Sequence, residues 1–266
     1  MQKNGKFAKI YLALVFVILY APIAYLIFYS FNSGGKMSHF DSFTLEHYAA
    51  VFEDKRLIGI VLNTVIVALL SALISTAIGV LGAISIHYMR SKAMRNVMLS
   101  MNSILMVSPD VIIGASFLIL FTLVGIKLGF ASVLLSHIAF SIPIVVIMVL
   151  PKLQEMSPTL IDAALDLGAT RKEIMSRVIL PFIQPGIFAG FFLALTYSLD
   201  DFAVTFFVTG NGFSTLSVEI YSMARTGVTL TINALSGLIF VITAGLILGY
   251  YALKNRPKTP AAGVKR

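Results

Sequence analysis

From Leu57 to Met89 the chain runs without one Asp, Glu, Lys or Arg. A helix rises 1.5 Å per residue and needs about 20 mainly apolar residues to cross the hydrocarbon core of a bilayer. A charge-free run of this length therefore places the chain in a membrane, and it allows a long, tilted crossing. Five more apolar runs accompany it, at about 10–31, 97–124, 131–151, 182–208 and 230–253. The expected fold is all-α: one polytopic membrane domain of six transmembrane helices over 10–253, with short tails at 1–9 and 254–266. Pro22 is the expected kink of the first span. Only 12% of the residues are charged, against about 25% in soluble domains. No 30-residue repeat is found.

The flanking charges set the orientation. Fifteen of the 20 Lys and Arg residues fall in the tails, the turn at Arg90, Lys92 and Arg95, and the loop at 152–181. Five fall in the alternate loops, namely Lys36, Lys55, Arg56, Lys127 and Arg225. Positive charge collects on the cytoplasmic side of membrane proteins. Both termini and the loop 152–181 are thus expected inside the cell, in a cytoplasmic (inner) membrane. The net charge of +8 is explained by these loops and does not point to nucleic acid. Within the outer loop at 32–56, Thr44 can cap a short amphipathic segment carrying Leu45, Tyr48, Val51 and Phe52, suited to the interface.

There is no cysteine, which excludes disulfides, thiolate metal sites and cysteine nucleophiles. The four histidines, His39, His47, His87 and His137, have no metal-ligand spacing. No G-x-x-x-x-G-K-[ST], G-x-S-x-G or H-E-x-x-H occurs, so the chain is expected to bind no nucleotide, cofactor or metal and to catalyse no reaction.

Three carboxylates stand inside the expected spans: Asp110 in the third, Asp200 and Asp201 in the fifth. Ionisable groups there are costly and usually face a bundle interior or water-filled cavity. In a straight third span Asp110 lies roughly 20 Å from the inner end. No Lys or Arg lies in any span to pair with these acids, so a transported cation is the expected partner. Tyr197 and Phe202 add aromatic faces suited to an organic ammonium, with Ser198 and Thr205 nearby. Other readings stand beside this one. Ser108-Pro109-Asp110 can break the span, with Ser108 capping the second half and Asp110 favoured by its dipole; broken helices are also where transporters place sites. The Asp200-Asp201 pair can sit hydrated among headgroups. Adjacent helical residues point about 100° apart, so both cannot face a pore equally; one can bind substrate while the other faces a neighbouring subunit. Gly186 and Gly190 form a small-xxx-small pair suited to a helix contact.

The loop at 152–181 carries the most patterned sequence. Ser157 can cap a helix with Pro158 at its first position. Leu160, Ala163, Ala164 and Leu167 then form one apolar stripe. Gly168 suits a left-handed terminator, and Thr170 with Glu173 forms a T-x-x-E capping box for a second helix. Asp162-Ala163-Ala164, Gly168 and Val178-Ile-Leu180-Pro181 resemble the EAA loop of type I ABC-importer permeases. Asp162 stands where that family has Glu, and Val178 where it has Ile. The resemblance implies that Asp162, Ala163, Ala164 and Gly168 couple the chain to a separate ATPase.

It further implies a second permease subunit, an ATPase dimer that carries the ATP and Mg, an extracytoplasmic binding protein, and alternating access. More narrowly, Ser108-Pro-Asp, Leu167-Gly-Ala, Ser198-Leu-Asp-Asp and Phe207-Val-Thr-Gly resemble the C-type permease subunit of spermidine/putrescine importers. That resemblance implies polyamine transport, and the intramembrane acids with their neighbours, Ser108, Asp110, Tyr197, Asp200, Asp201 and Phe202, are the expected substrate site. Import of another small cationic solute is the alternative within the class. An ion-gradient-driven carrier using the same acids as a relay is the alternative outside it, and such a carrier has no use for an ATPase dock.

Overall fold

A computed structural model describes residues 5–226 and 229–254. The chain is helical among the described residues, apart from a single antiparallel bridge between Asn32 and Phe43. The helices are α1 (Gly5–Tyr29), α2 (Glu46–Glu53), α3 (Lys55–His87), α4 (Lys92–Val107), α5 (Asp110–Val124), α6 (Phe130–Glu155), α7 (Pro158–Asp166), α8 (Arg171–Ile174), α9 (Leu180–Asp200), α10 (Ala203–Val208), α11 (Leu216–Thr226) and α12 (Leu230–Lys254), with a π-helical turn at Met175–Ile179. The described residues fall into two compact units: those up to 58 with those from 223 on, and residues 59–222.

In the first unit α12 packs on α1 and α2. Asn32, fully buried, organises the connection between α1 and α2. Its amide donates to the carbonyls of Lys36 (2.9 Å) and His39 (2.7 Å), and its oxygen accepts from the Asp41 amide (2.8 Å). The amphipathic segment expected near Thr44 forms as α2, with the Thr44 hydroxyl accepting from the Glu46 amide at 3.1 Å. Val51 is buried, whereas Phe52 is exposed.

The second unit is built on α6 and α9. In lipid, burying a side chain gains nothing from leaving water, so close packing and small residues decide helix contacts. Gly186 and Gly190 supply that closeness. A Cβ on Gly186 would stand 2.8 Å from the Met148 carbonyl oxygen, and one on Gly190 would stand 3.2 Å from Val145 Cα. Gly79 of α3 receives the other side of Val145, where a Cβ would stand 2.6 Å from Val145 Cβ. Val145 is thus wedged between two glycines, with Val149, Leu153 and Ile183 fully buried beside it.

Two of the expected spans are not single helices. Four helical stretches are long and apolar enough to cross a membrane: Phe7–Tyr29, Lys55–His87, Phe130–Glu155 and Arg171–Asp200. The expected third span is the pair α4 and α5, bent by 106°. Pro109 has no N–H to donate and disfavours helical geometry at the residue before it; Ser108 is accordingly extended (φ −68°, ψ 137°). The expected capping by Ser108 does not occur. Its hydroxyl donates back to the Ile104 carbonyl at 2.7 Å, closing α4, and Pro109 stands at the start of α5. The fifth span breaks after Asp200 and resumes at Ala203. The expected sixth span is the single helix α12.

Candidate functional site

The two breaks meet. Gly114 of α5 lets α10 approach so closely that a Cβ there would stand 3.0 Å from Val204 Cα and 3.2 Å from the Ala203 carbonyl oxygen. Asp110, in the first turn of α5, and Asp200, the last residue of α9, therefore line one cavity of about 320 Å³ with Tyr197, Asp201, Phe202 and Ala203. The Tyr197 hydroxyl donates to Asp110 Oδ1 at 2.9 Å. Tyr197 is thus a polar partner of the acid and not simply a packing side chain. Its ring meets Phe140 edge-on at 5.2 Å. Phe202 stacks obliquely on Tyr221 at 4.3 Å. Ser108 does not line this cavity.

A second, more apolar cavity of about 210 Å³ adjoins it, sharing Asp110 and Tyr197 and walled by Leu105, Ile113, Phe140 and Leu193. The shared pair thus lies between an acidic lobe and an apolar one. A carboxylate cluster beside aromatic rings can hold an organic cation by charge and cation–π attraction.

The two adjacent aspartates have different surroundings. Asp200 is exposed, whereas Asp201 is buried within the chain. Asp201 Oδ2 accepts from the Thr205 amide (2.8 Å) and the Thr205 hydroxyl (2.7 Å), and Oδ1 accepts from the Val204 amide (3.4 Å). These are the orphan amides of the first turn of α10, so Asp201 caps that helix. Its nearest basic group is His137 of α6, whose Nε2 lies 3.5 Å from Oδ2.

Partners other than Lys or Arg, which the sequence reading did not consider, stand beside two of the acids. Asp110 has Tyr197, and Asp201 has Thr205 and His137. His137 is fully buried, with Nδ1 2.6 Å from the Ser198 hydroxyl and Nε2 2.8 Å from the Thr205 hydroxyl. Thr205 has one hydroxyl hydrogen, and it goes to Asp201. It follows that His137 Nε2 donates to Thr205, which assigns the ring proton. Metal-ligand spacing says nothing about such a residue. The signal available in the sequence was a lone imidazole in an apolar run together with an unpaired intramembrane acid.

The loop 152–181 forms two short helices around a glycine. Ser157 caps α7 from the Thr159 amide (3.4 Å), with Pro158 at the first position. Gly168 takes φ +80°. The amide of Gly168 reaches the Leu165 carbonyl (2.9 Å) and that of Ala169 reaches the Ala164 carbonyl (3.0 Å), the bond pair of a Schellman terminus. Thr170 and Glu173 close their capping box at 3.0 and 3.3 Å. The apolar stripe divides. Ala164, with Ile161, packs on the core cluster, while Leu160 and Leu167 are exposed, Leu167 by 89%. Ala163 and Asp162 are exposed as well. A Cβ on Gly168 would meet nothing within 4 Å. This leaves an apolar outer face on a knuckle whose ends are fixed by its own hydrogen bonds.

Four crossing-length stretches, two broken helices meeting at an acid-lined cavity, and an open knuckle are the parts of a membrane transport permease. Two solved structures share the fold. They are an alginate-importing bacterial ABC transporter (TM-score 0.71, 19% identity, 92% of each chain covered) and the MetNI methionine ABC transporter in inward-facing form (TM-score 0.61, 19% identity, 74% of this chain and 95% of that one covered). Residues 75–255 match the family model of the binding-protein-dependent transport system inner membrane component, and the chain belongs to that family. Among curated relatives, the spermidine/putrescine transport system permease protein PotC of Shigella flexneri is 34% identical over 253 residues, covering 95% of both chains. PotC of Escherichia coli K12 is 35% identical over 238 residues, covering 90% of both. The putrescine transport system permease protein PotI of E. coli K12 is 32% identical over 247 residues, covering 91% of this chain and 87% of that one.

Proposed function

We propose that this chain is a permease subunit of an ATP-driven importer of polyamines, of the spermidine and putrescine class. The observation that carries the reading is the cavity where Asp110 and Asp200 converge from two helix breaks, with the Tyr197 hydroxyl on Asp110. Similarity to permeases named for spermidine and putrescine supports the same substrate class.

In this reading Asp110 and Asp200 pair with the ammonium groups, and Tyr197 and Phe202 offer ring faces. The adjoining lobe walled by Leu105, Ile113, Phe140 and Leu193 takes a methylene spacer. Asp201 shapes the site without touching substrate, because its oxygens are engaged within the chain. The chain crosses the inner membrane six times with both termini inside, as the distribution of Lys and Arg supports. Its cytoplasmic knuckle docks on a separate ATPase through Asp162, Ala163, Ala164, Leu160 and Leu167, with Gly168 holding the turn. A second permease and an extracytoplasmic binding protein complete the machine, and the ATPase carries the nucleotide. ATP-driven closure of the ATPase pair rocks the helices between inward and outward openings.

The test is uptake of labelled putrescine and spermidine by cells expressing the complete transporter. Asp110→Asn and Asp200→Asn are expected to lower uptake at least tenfold while membrane levels hold. Uptake at parental rates in both variants would refute the site.

A further inference from the structure

We propose that His137 is the positioning residue of the acidic cavity, holding Asp201 in the cap of α10 so that Asp200 is the aspartate whose carboxylate is left for the cavity. The inference rests on the reading of that cavity as the substrate site. The six-residue α10 is too short to hold itself as a helix, and its first amides need an acceptor. Asp201 supplies one, accepting from both Val204 and Thr205. A carboxylate this buried needs its remaining capacity satisfied by fixed polar groups. The Thr205 hydroxyl does so at 2.7 Å, and His137 in turn bonds that hydroxyl at 2.8 Å.

The other face of the imidazole holds Ser198 at 2.6 Å, in the last turn of α9, and Ser198 lies 3.0 Å from Ser71 of α3. One ring on α6 thus ties α9 and α10 together across their break. A slip of the break by one residue would rotate this register by about 100°. That slip would exchange Asp200 and Asp201, putting the wrong acid into the cap and the wrong acid into the cavity. Within the segment the Thr205 hydroxyl tells the two aspartates apart, because a slip would set Val204 in its place against Asp200. The fixed distance of His137 from Ser198 and Thr205 holds that hydroxyl in place.

The chain has no cysteine, so the register of the break can be read by single-cysteine labelling. Ala203→Cys, which lines the cavity, and Val204→Cys, which is buried, leave both aspartates in place; they are labelled with a cationic methanethiosulfonate in membranes holding the complete transporter, with and without His137→Leu. The expected result is fast labelling at 203 and slow labelling at 204 in the parent. In H137L the rate at 203 should fall at least tenfold, toward that at 204. His137→Gln, which keeps a donor and an acceptor on the bridge, should retain uptake within threefold of the parent, whereas H137L loses at least tenfold. A side chain needed only for packing would be replaced better by Leu than by Gln.

Equal uptake in H137Q and H137L, or labelling rates unmoved by H137L, would overturn the proposal. If H137L does not reach the membrane, Ser198→Ala removes the other anchor of the imidazole and leaves the Thr205–Asp201 bond intact, with the same exchange expected and the same refutation. Failure here is distinguishable from failure of the site itself. If Asp200→Asn abolishes uptake while labelling ignores His137, the cavity stands and the positioning role falls. If Asp200→Asn transports normally, the cavity reading falls.

Discussion

Replacing Gly168 is the sharpest perturbation of the knuckle, because the structure separates backbone cost from crowding. A Cβ at this position would meet no atom of the chain within 4 Å, so a side chain is opposed within the chain only by the backbone angle, φ +80°. For an L-residue the left-handed region costs roughly 1–2 kcal/mol, and a β-branched residue lies at the upper end of the 1–3 kcal/mol range for such strain. About 2 kcal/mol corresponds to a roughly 30-fold smaller population of the intact turn. Relaxing φ would also break the bonds from Gly168 to Leu165 and from Ala169 to Ala164. Gly168→Val should therefore reduce co-purification of the ATPase and polyamine uptake together, by about tenfold or more. Gly168→Asn, which tolerates the left-handed region, should stay within threefold. The assay is quantitative co-purification of the tagged permease with its ATPase from mild detergent, alongside uptake in the same cells. Parental association and uptake in G168V would refute the argument. Equal loss in G168N and G168V would place the defect in a side chain meeting the partner's surface, not in the turn.

Other perturbations follow from single contacts. Tyr197→Phe removes the donor to Asp110; a hydrogen bond to a charged group contributes about 1.5–3 kcal/mol, so polyamine uptake at limiting substrate should fall about tenfold or more, and unchanged uptake would remove the hydroxyl from the site. Gly186→Ala forces a Cβ against the Met148 carbonyl at 2.8 Å; overpacking costs typically 1–3 kcal/mol, so the purified transporter should show a lower midpoint of thermal aggregation. Thr170→Ala opens the capping box at the cost of about 1 kcal/mol and should weaken ATPase co-purification less than G168V does.

What the sequence made legible is local. Ser157, Gly168, Thr170 and Glu173 act within a few residues of one another, and the structure shows each in the expected hydrogen bond. The glycine pair at 186 and 190 was readable for the same reason, and it does form a helix contact. The breaks were harder. Ser108-Pro109 announced an interruption, but hydropathy has the same value in a straight helix and in one bent by 106°. The break at Asp201 has no proline or glycine to mark it. It is held by His137, 64 residues earlier in the chain, and no periodicity links residues so distant. The division of labour between Asp200 and Asp201 was therefore only partly within reach of a local pattern, the Thr205 hydroxyl four residues after Asp201. The apolar stripe of α7 was legible as composition only; its inward part, Ala164, and its exposed part, Leu160 and Leu167, part company once the knuckle folds on the core.

The central claim is that this chain moves polyamines as part of an ATP-driven assembly. It is tested most directly in proteoliposomes holding the co-expressed transporter, with labelled putrescine, purified binding protein outside and nucleotide trapped within. The account predicts uptake that requires ATP, the ATPase and the binding protein, is competed by spermidine but not by sulfate, and is lost in Asp200→Asn. Uptake by this chain reconstituted alone, driven by an ion gradient without ATP, would contradict it.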